Sequence, residues 1–229
     1  KVRLDKDVEF CFQPSGHILN SAQLELWIRN NNNIKKIGYT SDLGNNSVSN
    51  IYVNKFNPIE KCNLMIGECT YADSMRSVST KDRFKDLEKM ESIIRNTCLV
   101  KRGKVLIPCF ANQRTQNMLS HLYDIFGKDE DFKVPIVIDS PMASKITKLF
   151  ERLLDGEEKE YYKEVLAWKN LVFTEDLTQS KRFRDSKYPV VCLSSSGMMT
   201  AGRVLHWTAR LIPNPDNHIL FCGFAPENS

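Results

Sequence analysis

From about Ile37 to the end, short apolar runs alternate with stretches whose apolar residues recur at helical spacing. The runs IGYT, NLMIGECT, KVLIPCFA, VPIVID, PVVCLSS and HILFCGF are rich in Val, Ile, Leu and Cys and mostly unalternated. Strands covered on both faces read this way. Between them lie helix-length segments at 81–97, 113–126, 144–154, 158–168 and 200–211. Strands spaced by helices predict βαβ crossovers, so the fold class is α/β, with a mostly parallel sheet flanked by helices.

The first 35 residues differ. EFCFQ and AQLELWIRN alternate apolar and polar positions, as antiparallel strands with one wet face do. NNNN at 30–33 and NPDN at 214–217 are turn or loop material, and DGEEKEYYKE reads as a solvated helix face. The pattern breaks at SMRSVST, which places a boundary near Asp73–Ser79.

A chain of 229 residues is long enough for one large or two small domains, and 41% hydrophobic with 26% charged residues excludes wholesale disorder. The balance of 32 Lys+Arg against 28 Asp+Glu leaves +4, which tolerates a polyanionic partner without demanding one. Seven cysteines, odd in number, scattered and without a CxxC, predict reduced core thiols of a cytoplasmic protein, not a disulfide or Cys-zinc framework. No apolar run approaches the ~18 residues that span a bilayer, and KVRLDKDVEF is not a signal peptide, so a soluble protein without membrane contact is expected. A first residue that is not Met, and an end directly after an apolar run, read as a piece of something longer.

Candidate chemistry sits where the runs stop. Short polar stubs follow them: Ser41-Asp42, Glu68, Asn112-Gln113-Arg114, Asp139-Ser140 and Ser194-Ser195-Ser196. In open α/β sheets ligands bind beyond the carboxyl ends of the strands, so five stubs are expected to converge on one edge. His17, in the loop SGH, joins Asp42 and Glu68 as an imidazole and two carboxylates of the kind zinc accepts. The plain alternatives are a surface histidine, a turn-capping Asp42 and a satisfied strand-end Glu68. Ser194-Ser195-Ser196-Gly197 reads as leading into a helix, either a phosphate cradle or an ordinary cap, with Arg114 and Arg203 as charge for a nucleic-acid backbone or solvated side chains. His121 and His218 read as structural, and His206 as a packing residue.

Read in order, the stubs resemble the metallo-β-lactamase nucleases with a β-CASP insertion, the family of ribonuclease J and the cleavage and polyadenylation endonuclease. SGHILNSAQLEL resembles the third metal motif, YTSDLGN the fourth, and MIGECTYAD the acidic motif that opens the insertion. GKVLIPCFANQRTQNML, VPIVIDSPMA, and VCLSSSGMMTAGRVLHW with LIPNPDNHILFCGF resemble successive β-CASP strands and loops, so the likeness runs from about residue 10 to the end.

The resemblance implies a partial metallo-β-lactamase αββα domain at 1–75 and a β-CASP domain at 76–229. It implies two zinc ions, with His17 a terminal ligand, Asp42 a bridging and catalytic ligand, and Glu68 an acid that orients a catalytic histidine. Ser140, Ser195, Ser196, Arg203 and Arg114 would face a nucleic-acid cleft. The implied activity is hydrolysis of single-stranded RNA, endonucleolytic and possibly 5′ exonucleolytic, by a two-metal-activated water, alone as a homo-oligomer or in a processing complex. RNA is preferred to DNA because SSSGMMTAGR is more similar to the RNA-processing branch. An inert RNA-binding or scaffold paralogue and a DNA nuclease of the same superfamily are the alternatives, and a small-molecule hydrolase is disfavoured by the long insertion. The H-x-H-x-D-H loop would precede Lys1 and the later histidine motifs would follow Ser229, so residues 1–229 alone are expected to be inactive. Ser41 stands where the fourth motif commonly has Gly, a change expected to be tolerated if that residue avoids positive φ.

Overall fold

The computed structural model describes residues 1–46, 51–70, 72 and 80–223. Backbone contacts divide the chain into two compact units, Lys1–Asp82 and Arg83–Ser229. The break read at Asp73–Ser79 falls outside the described residues.

In the first unit β1 (Val2–Asp5), β2 (Val8–Pro14), β3 (Ala22–Asn30) and β4 (Asn33–Tyr39) form an antiparallel meander, and β5 (Leu64–Ile66) joins β4 in parallel. The asparagine run makes the β3–β4 turn because Asn tolerates left-handed backbone, and Asn31 has φ +52°. The alternation holds, but its wet side is not the polar one. Gln23 and Glu25 are only 2% and 8% exposed, while Leu24, Leu26 and Ile28 on the opposite face are half-buried. Buried polar groups must be bonded, and β2, β4 and the segment 51–63 supply the partners. Gln23 donates to the carbonyls of Pro14 (2.9 Å) and Asn57 (2.6 Å), and Lys36, ion-paired with Glu25, donates to the Glu60 carbonyl at 2.6 Å.

In the second unit, α1 (Thr80–Arg95), widened at its end through Asn96–Val100, leads into a wholly parallel sheet. Its strands are β6 (Val105–Pro108), β7 (Ile136–Asp139), β8 (Leu171–Phe173), β9 (Val191–Ser194) and β10 (His218–Ile219), in the order β10-β6-β9-β7-β8. Every residue of β6, β7 and β9 is buried, as their unalternated sequences require. The connecting helices are α2 (Arg114–Phe126), α3 (Pro141–Leu153), α4 (Gly156–Leu166), α5 (Leu177–Asp185) and α6 (Arg203–Leu211). Right-handed crossovers put the first three on one face, where the chain runs toward β8, and the last two on the other, where it returns. The packing agrees: α2 touches α3 and α4, and α5 touches α6. Connections therefore diverge beside β9, and the carboxyl ends of β6, β9 and β7 sit together at that switch point.

Two elements lay below the sequence pattern. β8 is a three-residue, half-buried edge strand, and α5 buries only Ser180. Phe183 packs on the apolar cluster under α6, and the other anchors of α5 are polar. The Asp176 carboxylate caps it by accepting from the Gln179 amide at 2.8 Å, and the Ser180 hydroxyl donates to Asp139 at 2.5 Å.

Asp139 is fully buried at the end of β7. One carboxylate oxygen accepts from Thr174 Oγ1 and Arg203 Nη1, both 2.6 Å away; the other accepts from Ser180 and from Trp207 Nε1 at 2.6 Å. Ser194 of β9 donates to its carbonyl at 3.0 Å. Burial by itself would raise the Asp139 pKa, but the hydroxyls of Ser180 and Thr174, the Trp207 indole and Arg203 hold it below the usual carboxylate value.

Asp139→Asn is expected to lower the unfolding free energy by about 3–5 kcal/mol, the size associated with removing one member of a buried pair, read from the urea midpoint. Acid acts in the same direction. The folded pKa lies below the unfolded value of ~3.9, so this stabilisation is complete above that value and is lost as pH falls through the folded one. The Asn variant should show a flatter acid limb.

Candidate functional site

The five stubs do not belong to one sheet. Those of Asp42 and Glu68 end strands of the first unit, and those of Asn112-Gln113-Arg114, Asp139-Ser140 and Ser194-Ser195-Ser196 end strands of the second.

In the first unit three loops are pinned to one another through backbone. Between β2 and β3, the Ser21 hydroxyl accepts from the amides of His17 and Ile18, both at 3.1 Å, and donates to the Ile18 carbonyl at 2.8 Å. Gly16 has φ +72°, and the Gly44 amide donates to the Ser15 carbonyl at 2.8 Å. A side chain on Gly44 would place its Cβ 1.7 Å from the Gly16 oxygen, so only glycine allows the two loops to touch. After β4, Ser41 has φ +51°. The condition set for it in the sequence is therefore not met, and its hydroxyl anchors the strained residue by donating to the Ala22 carbonyl at 2.9 Å.

These contacts bring His17 and Asp42 together, Nε2 to Oδ2 at 4.0 Å, with side chains 48% and 77% exposed. Glu68 joins them through the chain. Its two carboxylate oxygens accept from the amides of Leu43 (3.0 Å) and Thr70 (2.9 Å). Hydrogen bonds from the Thr70 amide and hydroxyl, then from the Leu43 amide, with His17 nearby, hold the Glu68 pKa below its ordinary value. Glu68 so fixes the residue after Asp42, a role the sequence did not suggest because its partner there, the Leu43 amide, is a main-chain group.

Could this cluster hold zinc? Two ligand atoms each ~2.0–2.2 Å from one tetrahedral ion lie ~3.3–3.6 Å apart, slightly closer than the observed pair, and both side chains are exposed enough to close the gap. No group of three or more His, Cys, Asp or Glu side chains suited to a metal is present among the described residues. His17 and Asp42 fit two positions of a centre that needs further donors.

In the second unit the structure changes the reading of several residues. The loop after β9 does not run straight into a helix; α6 starts only at Arg203, beyond Gly202 at φ +88°. Amides of that loop turn inward: Ser196 to the Ala201 carbonyl (3.1 Å), Met199 to the Ser196 carbonyl (3.2 Å) and Thr200 to the Ser196 hydroxyl (3.2 Å). Ser194 to Gly197 therefore does not occupy a helix N-terminus, and the helix dipole read there is not supplied to it. The Ser195 hydroxyl is buried without a hydrogen-bond partner. Ser140 is 6% exposed and caps α3 by accepting from the Ala143 amide at 3.2 Å. Arg203 is held by Asp139 and Thr174 with its side chain 14% exposed, whereas Arg114, the first residue of α2, is exposed. His206 faces solvent instead of packing, because α6 buries Val204, Trp207 and Leu211.

The family model of the Beta-Casp domain matches residues 115–229, half of the chain. This chain belongs to the β-CASP family. It is 29% identical over 226 residues, 96% of its length, to the Ribonuclease TTHA0252 of Thermus thermophilus. It is 26% identical over 229 residues (99%) to an RNase J-like protein of Methanocaldococcus jannaschii, and 24% over 225 residues (97%) to Cleavage and polyadenylation specificity factor 73 of Drosophila melanogaster. The chain spans about half the length of the first two, 49% and 51%, and 31% of the third. These alignments cover nearly the whole β-CASP chain, so the likeness includes the His17–Asp42 loops as well as the parallel sheet.

Gly44→Ala is expected to cost about 1–3 kcal/mol, as overpacking does, and to displace the amide NMR signals of Gly16 and His17 while leaving those of β6 and β9 in place.

Proposed function

We propose that this β-CASP chain is part of a zinc-dependent RNA-processing nuclease that hydrolyses phosphodiester bonds of single-stranded RNA. The observation that carries the reading is the approach of His17 to Asp42 across two glycine-locked loops, with Glu68 bound beside them. The relatives named ribonuclease and cleavage factor support the substrate class.

His17 and Asp42 hold the metal, and the Glu68 carboxylate keeps the Asp42 loop in place. Zinc bound there supplies Lewis-acid polarisation of the phosphodiester and lowers the pKa of the attacking water. Arg114, exposed at the start of α2, offers charge to a phosphate, and Ser195 and Ser196 line the same switch point. Arg203 and Ser140 act indirectly, one by holding Asp139 and the other by starting α3. No helix among the described residues is long and apolar enough to cross a membrane, and all seven cysteines are free thiols, which supports action in the reducing cytoplasm. A Gallus gallus relative, 24% identical over 232 residues and named Integrator complex subunit 11, supports assembly into a complex.

The test is cleavage of end-labelled single-stranded RNA and DNA by the full-length protein, with and without chelator, beside Asp42→Ala. RNA cleavage that chelator abolishes and Asp42→Ala lowers at least 100-fold is expected. Cleavage indifferent to chelator overturns the metal reading, preference for DNA overturns the substrate, and RNA binding without cleavage makes the protein a scaffold. Residues 1–229 alone, with two donors, should bind zinc weakly by calorimetry and cleave neither strand.

A further inference from the structure

Two thiols meet at the carboxyl end of the parallel sheet. β10 pairs with β6, His218 opposite Val105 and Ile219 opposite Leu106, and the Leu220 amide donates to the Leu106 carbonyl at 2.8 Å. Continued three positions past Ile219, the same register sets Cys222 opposite Cys109. Their Sγ atoms are 3.5 Å apart, and Cys222 in its thiol form donates to the Pro108 carbonyl at 3.3 Å. Neighbouring strands run ~4.8 Å apart, inside the ~4.4–6.8 Å separation of Cα atoms that a disulfide accepts.

We propose that Cys109 and Cys222 form an oxidation site, at which a peroxide converts the pair to a disulfide tying the chain after β10 to the chain after β6. The Cys222 thiolate attacks one peroxide oxygen, the O–O bond breaks, and the second oxygen leaves as water or alcohol after taking a proton. That leaves a sulfenic acid on Cys222. The Cys109 sulfur then attacks Cys222, the S–O bond breaks, and hydroxide departs with the Cys109 proton as water. Two thiols have lost two electrons and one peroxide has gained them.

The surroundings divide the roles. Cys109 is 1% exposed; its contact with Cys222 and its burial both raise its thiol pKa. Cys222 is half-buried. Hydrogen bonding from Cys109 lowers its pKa against the effect of burial, and the Arg114 guanidinium lowers it further. Cys222 is thus the sulfur that meets the oxidant and Cys109 the one that resolves it. The other buried thiols differ. Burial pushes Cys98 up to about 12 and raises Cys192 as well, so both resist oxidation.

The test is peptide mapping of the full-length protein after titration with hydrogen peroxide, followed by alkylation and non-reducing digestion. The expected product is a linked pair of peptides containing residues 109 and 222, two hydrogens lighter than their sum, released by dithiothreitol and missing from Cys222→Ser. Arg114→Ala should slow its formation several-fold. If both thiols remain open to alkylation after exposed Cys69 has been consumed, the proposal fails. It fails equally if Cys222 proceeds to sulfinic acid with Cys109 still reduced, or if Cys109 is crosslinked in Cys222→Ser. Because the unmodified protein itself gives the answer, a variant that folds poorly does not obscure it.

Discussion

A carboxylate out of reach of water must either be protonated or be surrounded by donors, and Asp139 takes the second course. Its four donors come from the end of β8, from α5 and from two turns of α6. Those elements lie at the β8 side of the sheet and on the face where the chain turns back, the part of the second unit with a three-residue edge strand and the most polar helix. Val172 and Phe183 pack on the apolar cluster there, and the donors of one charge fix how β8, α5 and α6 meet. The same residue joins β7 to β9 through its carbonyl and Ser194. The switch point of the sheet is therefore held by a polar knot lying next to the cluster of Leu106, Val137, Cys192, Val204 and Trp207.

The first unit positions His17 and Asp42 without a buried charge beside them. These two side chains stay in solvent, where packing cannot fix them, and the constraint passes to the backbone instead. Gly16 and Gly44 remove the Cβ atoms that would separate two loops, and Ser41 accepts a left-handed conformation for which its hydroxyl finds an anchor. Exposed ligands on rigid supports suit a metal centre, since the metal has to be reached by substrate while the donors stay aimed.

What could be read from the sequence follows the same division. The apolar runs of β6, β7 and β9 announced a parallel sheet because strands covered on both faces carry no alternation, and the asparagine run announced a turn through left-handed tolerance. β8 and α5 escaped because three residues give no period and because α5 sets one aromatic, Phe183, on the core and is otherwise secured by capping and by Ser180, which leaves no helical apolar period. The polar side of β3 was read as wet because alternation does not say what lies above a face; only Asn57 and Glu60, more than thirty positions away, decide that. That His17, Asp42 and Glu68 come together was legible in the three motifs. That Arg203 faces inward was not, since its spacing on the chain is the same whether its partner is a phosphate or Asp139.

Glu68 and Asp139 show why a shifted carboxylate is not by itself a mark of function. Both are held in the ionised form, one by main-chain amides in an exposed loop and the other by side chains in the interior. The interior carboxylate carries the larger energetic consequence, because an uncompensated charge there has no water to fall back on. Bonds to the exposed one are screened and add little to stability, yet they fix the amide next to Asp42 and so the direction from which a ligand is presented. Stability and positioning are thus separable in this chain: loss of Asp139 loosens the second unit, and loss of Glu68 leaves the fold standing with the proposed metal ligands, His17 and Asp42, less well placed.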